Sequence, residues 1–90
     1  MAIDDQTLRK RLAFRSWHRG IREMDLILGR FADRHLAGLD RSQLDRYAAL
    51  LENSDPDIYD WLMGLAPRPA EIGDDLWRML AASMDKDGNP

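Results

Sequence analysis

The sequence predicts an all-α fold, a small five-helix bundle, and three observations carry that prediction. β-branched residues are few and no alternating apolar–polar run persists, while Leu, Ala, Met, Arg and Glu dominate the periodic stretches. Apolar residues recur at helical spacing in five segments, each bounded by a capping residue, a glycine or a proline. The chain's 90 residues leave enough length for one core and too little for two, so a single domain is expected.

The first helix is expected over about residues 6–17, with Asp4 or Asp5 to cap it and Leu8, Leu12 and Arg15 along one face. The second covers about residues 21–36, sets Ile21, Met24, Leu28 and Phe31 on one stripe, and stops at Gly38. The third follows Asp40 or Ser42 and carries Leu44, Tyr47, Ala48 and Leu51. The fourth has the plainest start: Asp55 caps it, Pro56 fits the first helical position, where a missing N–H costs nothing, and Asp57 adds favourable charge. Ile58, Trp61, Leu62 and Leu65 would form its buried face and Gly64 its end. Pro67 and Pro69 keep the chain extended around Arg68. A fifth helix then starts between Pro69 and Asp74 and turns Ile72, Leu76, Met79, Leu80 and Ser83 inward. The core spans about residues 6–85, and 86–90 read as a frayed tail.

Composition removes several classes of function. There is no cysteine, hence no disulfide scaffold, thiolate metal site or cysteine nucleophile, and a reducing compartment suits the chain. No apolar run approaches a membrane span and the first residues do not read as a signal peptide, so a cytoplasmic protein without membrane insertion is expected. His18 and His35 are the only histidines and neither has metal-ligand spacing. No G-x-S-x-G, P-loop or G-x-G-x-x-G is present, so the chain is not expected to be an enzyme or to hold a cofactor or metal. Trp17, Trp61 and Trp77 read as core residues.

Charge is distributed unevenly. Residues 1–22 carry +4 and residues 23–90 carry −7, and Arg9, Lys10, Arg11, Arg15, Arg19 and Arg22 follow one another with no acid between them. On one continuous helix Arg11, Arg15, Arg19 and Arg22 would form a stripe suited to a phosphate backbone. A nucleic-acid-binding regulator and a generic helical adaptor therefore stand as alternatives, with an acidic body and a pI near 5.2 against the first.

Within this run lies RSWHRGIREMD, residues 15–25, where Gly20 interrupts a helix-forming stretch. A glycine in a helix interior costs about 0.5–1 kcal/mol relative to alanine, so it needs a reason. It serves either as a turn residue at positive φ or as a point where another surface comes close, flanked by Arg19 and Glu23 as charged hydrogen-bonding groups. An Arg19–Glu23 pair at i, i+4 is the purely internal reading.

Arg19-Gly20-Ile21-Arg22-Glu23 resembles the RGxxE motif of the succinate dehydrogenase flavinylation factor family, and WHRGIREMDLILGRF is similar to its surroundings in that family. Tyr47, Leu50, Leu51 and the stretch from Asp55-Pro56-Asp57 to Trp61-Leu62-Met63-Gly64 extend the resemblance over about residues 8–80. The resemblance implies an assembly chaperone that binds the flavoprotein subunit of succinate dehydrogenase, and in bacteria that of fumarate reductase. It also implies that the chain promotes self-catalysed covalent attachment of FAD to that partner. FAD then belongs to the partner, and this chain holds no cofactor stably. Carried over from the motif, Arg19, Gly20 and Glu23 are expected at the partner surface, with Arg15, His18 and Arg22 around them by position and charge. Trp61 and Asp57 are assigned to packing and capping, and the free protein is expected to be a monomer.

Overall fold

In a computed structural model that describes residues 3–84, the chain forms five helices with no strand among the described residues. These are α1 (Asp5–Trp17), α2 (Arg22–His35), α3 (Arg41–Leu51), α4 (Asp55–Leu62) and α5 (Asp74–Ala82), with short 3-10 turns at Leu36–Gly38 and Ala70–Ile72. The tail expected at 86–90 lies outside the described residues.

Local chemistry explains the starts. Asp4 caps α1 by accepting from the Thr7 N–H at 2.7 Å. Asp40 caps α3 by accepting from the Gln43 N–H, while the Gln43 side chain accepts from the Asp40 N–H, so two orphan donors are satisfied reciprocally. α4 is capped by Ser54, not by Asp55 as the sequence suggested, and Pro56 still falls within its first turn. That shift of one residue releases the Asp55 carboxylate for another partner. α2 starts at Arg22, one residue later than expected, because Ile21 is extended (φ −118°, ψ 121°).

The core draws on every helix. Leu12 of α1, Met24, Ile27, Leu28 and Phe31 of α2, Leu44, Tyr47 and Leu50 of α3, Ile58 of α4, and Leu76 and Leu80 of α5 are all buried. At about 25 cal/mol per Å² of apolar surface, each such side chain contributes about 1.5–3 kcal/mol, and this burial outweighs the weak propensities of short helices. Phe31 and Tyr47 meet with tilted rings 5.2 Å apart. The buried Tyr47 hydroxyl lies 2.6 Å from Ser16 Oγ, which donates to the Leu12 carbonyl at 2.7 Å, so this core polar group is satisfied. Burial pushes the phenol's pKa well above its ordinary value, and Tyr47 stays neutral.

Two residues placed on buried faces by periodicity are in fact exposed. Ile21 is 49% exposed because it precedes α2 and escapes the helical stripe. Leu65 is 71% exposed because the chain reverses at Gly64, with the Leu65 N–H returning to the Asp60 carbonyl at 2.8 Å. The tryptophans are half-buried: Trp61 and Trp77 flank the core, and Trp17 lies across α2 at Gly29 with its indole N–H donating to Asp33 at 3.1 Å. His35 is half-buried with its ring 5.0 Å from that of Phe31.

Candidate functional site

The junction between α1 and α2 is held from both sides. α3 ends at Leu51, leaving carbonyls that no helical N–H can reach, and α4 opens two residues beyond Asn53 with an acid in its first turn. A planar guanidinium matches that arrangement. Arg19 reaches across it, with Nε donating to Asp55 Oδ1 at 2.7 Å, one terminal nitrogen to the Leu51 carbonyl at 2.6 Å and the other to the Asn53 carbonyl at 2.7 Å. The two charged side chains are only 12% and 10% exposed. On the other side, Asp25 of α2 accepts from the Arg19 N–H at 2.6 Å. Arg19 is thus fastened by backbone and side chain together.

With Arg19 turned inward, the rest of the turn faces out. Gly20 has φ +98°, a conformation that L side chains rarely adopt, and a Cβ built on it would meet no atom within 4 Å. The turn reading of Gly20 is thus met, since the turn requires glycine, and the space beside it is open. His18 is exposed and stacks on Phe14, ring centroids 3.9 Å apart, while Phe14 itself is 64% exposed. Ile21, Arg22 and Glu23 continue the exposed surface.

Beside Ile21 opens a cleft of about 250 Å³ lined by Ile21, Glu23, Met24, Asp55, Pro56, Tyr59 and Asp60. It lies between the start of α2 and α4. Its floor and walls are largely apolar, with carboxylates on the lining.

The six residues singled out from sequence separate accordingly. Gly20, His18, Arg22 and Glu23 lie at the surface, Arg15 is half-buried and paired with Glu52 at 3.0 Å, and Arg19 points into the structure. The Arg19–Glu23 pair suggested by their spacing does not form, because Arg19 takes Asp55 instead. Asp25 was not singled out and Asp55 was read only as a cap, yet together they position the turn. Nothing in sequence spacing links residues 19 and 55. In the sequence Met24 reads as a core residue and Pro56 as a helix start, and Tyr59 and Asp60 have no role of their own.

The basic run does not form the stripe that a continuous helix would give. The helix breaks after Trp17, and Arg9 donates to the Leu36 and Leu39 carbonyls at 2.9 and 2.8 Å. Lys10 and Arg11 of α1 and Arg22 of α2 remain exposed. Among the described residues no group of three or more His, Asp or Glu could hold a metal ion, and no helix is long and apolar enough to cross a membrane.

Comparison with known proteins matches residues 10–84 to the family described as flavinator of succinate dehydrogenase. A protein of Dictyostelium discoideum named succinate dehydrogenase assembly factor 2, mitochondrial, is 39% identical over 75 residues, which is 83% of this chain and 53% of that protein. One of the same name from Meyerozyma guilliermondii is 52% identical over 56 residues, 62% of this chain and 42% of its own length. The FAD assembly factor SdhE of Acetobacter pasteurianus is 38% identical over 63 residues, 70% of this chain and 58% of its own. The chain spans about half the length of the curated relatives it matches.

Proposed function

The chain belongs to the flavinator of succinate dehydrogenase family, and from that membership we propose that it binds the flavoprotein subunit of succinate dehydrogenase and promotes covalent attachment of FAD to it. The flavoprotein subunit of fumarate reductase is a second target of the same kind. The bond forms between flavin and partner, and the partner's own groups carry the chemistry. This chain acts as a chaperone that holds an immature flavoprotein with its reacting groups aligned, a role in which orientation alone lowers the barrier.

The observation that carries this reading is Gly20, with positive φ, open space at its Cβ position, and a turn clamped by Arg19. A rigid, side-chain-free point lets another backbone come close, and it exposes Ile21, Arg22 and Glu23 beside it at little entropic cost to binding. His18 and Arg15 widen the contact, while Arg19 supports it from behind. FAD stays with the partner in this reading, and the wide groove between α4 and α5, lined by Trp61, Pro67, Arg68 and Trp77, has its arginine already paired with Asp74. The free protein is a monomer in this reading, and its compartment is the one where the flavoprotein matures, here the cytoplasm.

Coexpressing a succinate dehydrogenase flavoprotein subunit with this chain, with its Gly20→Arg variant, or alone tests the proposal through covalent flavin fluorescence in a denaturing gel. Strong fluorescence with the natural sequence and background in the other two is the expected result. Equal fluorescence in all three would remove this function for that target.

A further inference from the structure

The cleft beside the motif holds two carboxylates that the fold leaves unused. Of its three acids, Asp55 is neutralised by Arg19, but Glu23 and Asp60 form no ion pair among the described residues. Elsewhere arginines are paired readily: Arg15, Arg41, Arg46 and Arg68 all meet an acid. Ile21, Met24, Pro56 and Tyr59 make up the rest of the lining, which is more apolar than polar. At about 250 Å³ the cleft falls below the roughly 300–1,000 Å³ of small-molecule pockets, so its size suits one long side chain and not a cofactor.

From this charge complementarity we propose that the cleft receives a single arginine side chain of the partner protein. Its methylenes lie on Ile21, Met24 and Pro56, its guanidinium plane meets Tyr59, and its N–H groups donate to Glu23 and Asp60. The chemistry selects arginine over lysine, because a planar fork can address two carboxylates and stack on an aromatic ring together, whereas an ammonium is a hydrated point charge. The inference rests on the partner-binding reading above and sharpens it: Glu23 of the motif acts with Asp60 of α4, and the partner surface facing Gly20 presents a basic residue set among apolar ones.

Two experiments separate failure of the cleft from failure of the flavoprotein reading. In the first, the Met24 methyl and Tyr59 ring resonances of the whole protein are followed by NMR during titration with N-acetyl-arginine amide and, in parallel, N-acetyl-citrulline amide, which keeps the shape and loses the charge. Saturable shifts with arginine, about tenfold weaker with citrulline, are expected. Equal shifts from both, or none from either, overturn the proposal, and tighter binding of N-acetyl-lysine amide overturns the choice of arginine. In the second, Glu23→Gln and Asp60→Asn variants are tested for capture of the flavoprotein subunit, with folding checked by circular dichroism and Asp57→Asn as an exposed acid outside the cleft. Each cleft variant should lose about tenfold in affinity while Asp57→Asn stays within about twofold. Undiminished capture by Asp60→Asn overturns the proposal with the flavoprotein reading intact. If the natural protein captures no flavoprotein yet still binds arginine amide, the cleft stands and the choice of partner falls.

Discussion

Two junctions of this bundle are built from the same parts, an arginine, an aspartate, backbone carbonyls and a glycine at positive φ, and they differ in where the arginine goes. At the start of α5, Arg46 pairs with Asp75 at 2.7 Å and donates to the Ile72 carbonyl, and its guanidinium fills the space beside Gly73, where an added Cβ would lie 2.0 Å from it. At the start of α2, Arg19 turns away from Gly20 toward Asp55, and the space beside Gly20 stays empty. Gly73 is required by the chain's own packing. Gly20 is required by its turn alone, so the space it keeps open is available to another molecule.

Burial ranks the two arginines, and removing them is the strongest way to test the contrast. Arg19→Ala would leave Asp55, 10% exposed, without its partner and two carbonyls without donors, a loss expected at about 3 kcal/mol. Arg46→Ala acts on a pair whose members are 26% and 53% exposed, and such solvent-open pairs stabilise much less than a buried one, so a smaller loss is expected. Urea unfolding of the two variants measures the difference. Equal losses would mean that the buried pair adds nothing beyond a surface one.

The glycines should separate next. Gly73 combines φ +85° with ψ 144°, a region almost confined to glycine, and Gly73→Ala must also displace Arg46, so a loss of about 2 kcal/mol is expected. Gly20→Ala bears only the conformational cost, about 1 kcal/mol, because nothing obstructs its methyl group. Both are measurable by the same unfolding curves. A Gly20→Ala variant more stable than the natural protein would show that residue 20 can join a helix, and the argument from its turn would fail.

How far these junctions could be read from sequence follows from the range of each interaction. The five helices were legible because caps, prolines and apolar periodicity act within about four residues, and Asp40 with Gln43 shows the pattern intact. The errors fell at helix ends. Ile21 and Leu65 satisfied a period but lay beyond the turns that end it, and Asp55 looked like a cap because Ser54 competes with it for the same position. Gly20 was visible as an anomaly, and RGxxE as a resemblance. The direction of Arg19 was not visible: spacing offered Glu23 four residues away, whereas three carbonyl and carboxylate groups 32 to 36 residues away hold the guanidinium. Only folding brings the end of α3 and the start of α4 beside that turn, and the cleft holding Glu23 and Asp60 arises from the same meeting.

Acid titration provides the mildest test, because it acts on the solvent-open carboxylates at the start of α5. Hydrogen bonds from Arg46, then from Gln43 and the Leu76 N–H, hold the Asp75 carboxyl well below its ordinary value of 3.8, and Arg68 lowers Asp74 in the same way. A carboxylate with a lowered folded-state pKa contributes stability that is complete above the unfolded value and is lost as pH falls through the folded one. The melting temperature should therefore hold steady down to about pH 5 and decline below about pH 4. Asp75→Asn should make that decline shallower, and about 1 M salt should reduce it further, since these pairs are open to solvent. An unchanged slope in Asp75→Asn would move the acid-sensitive step elsewhere in the chain. Arg46 would then act through the carbonyl it caps and not through the charge it meets.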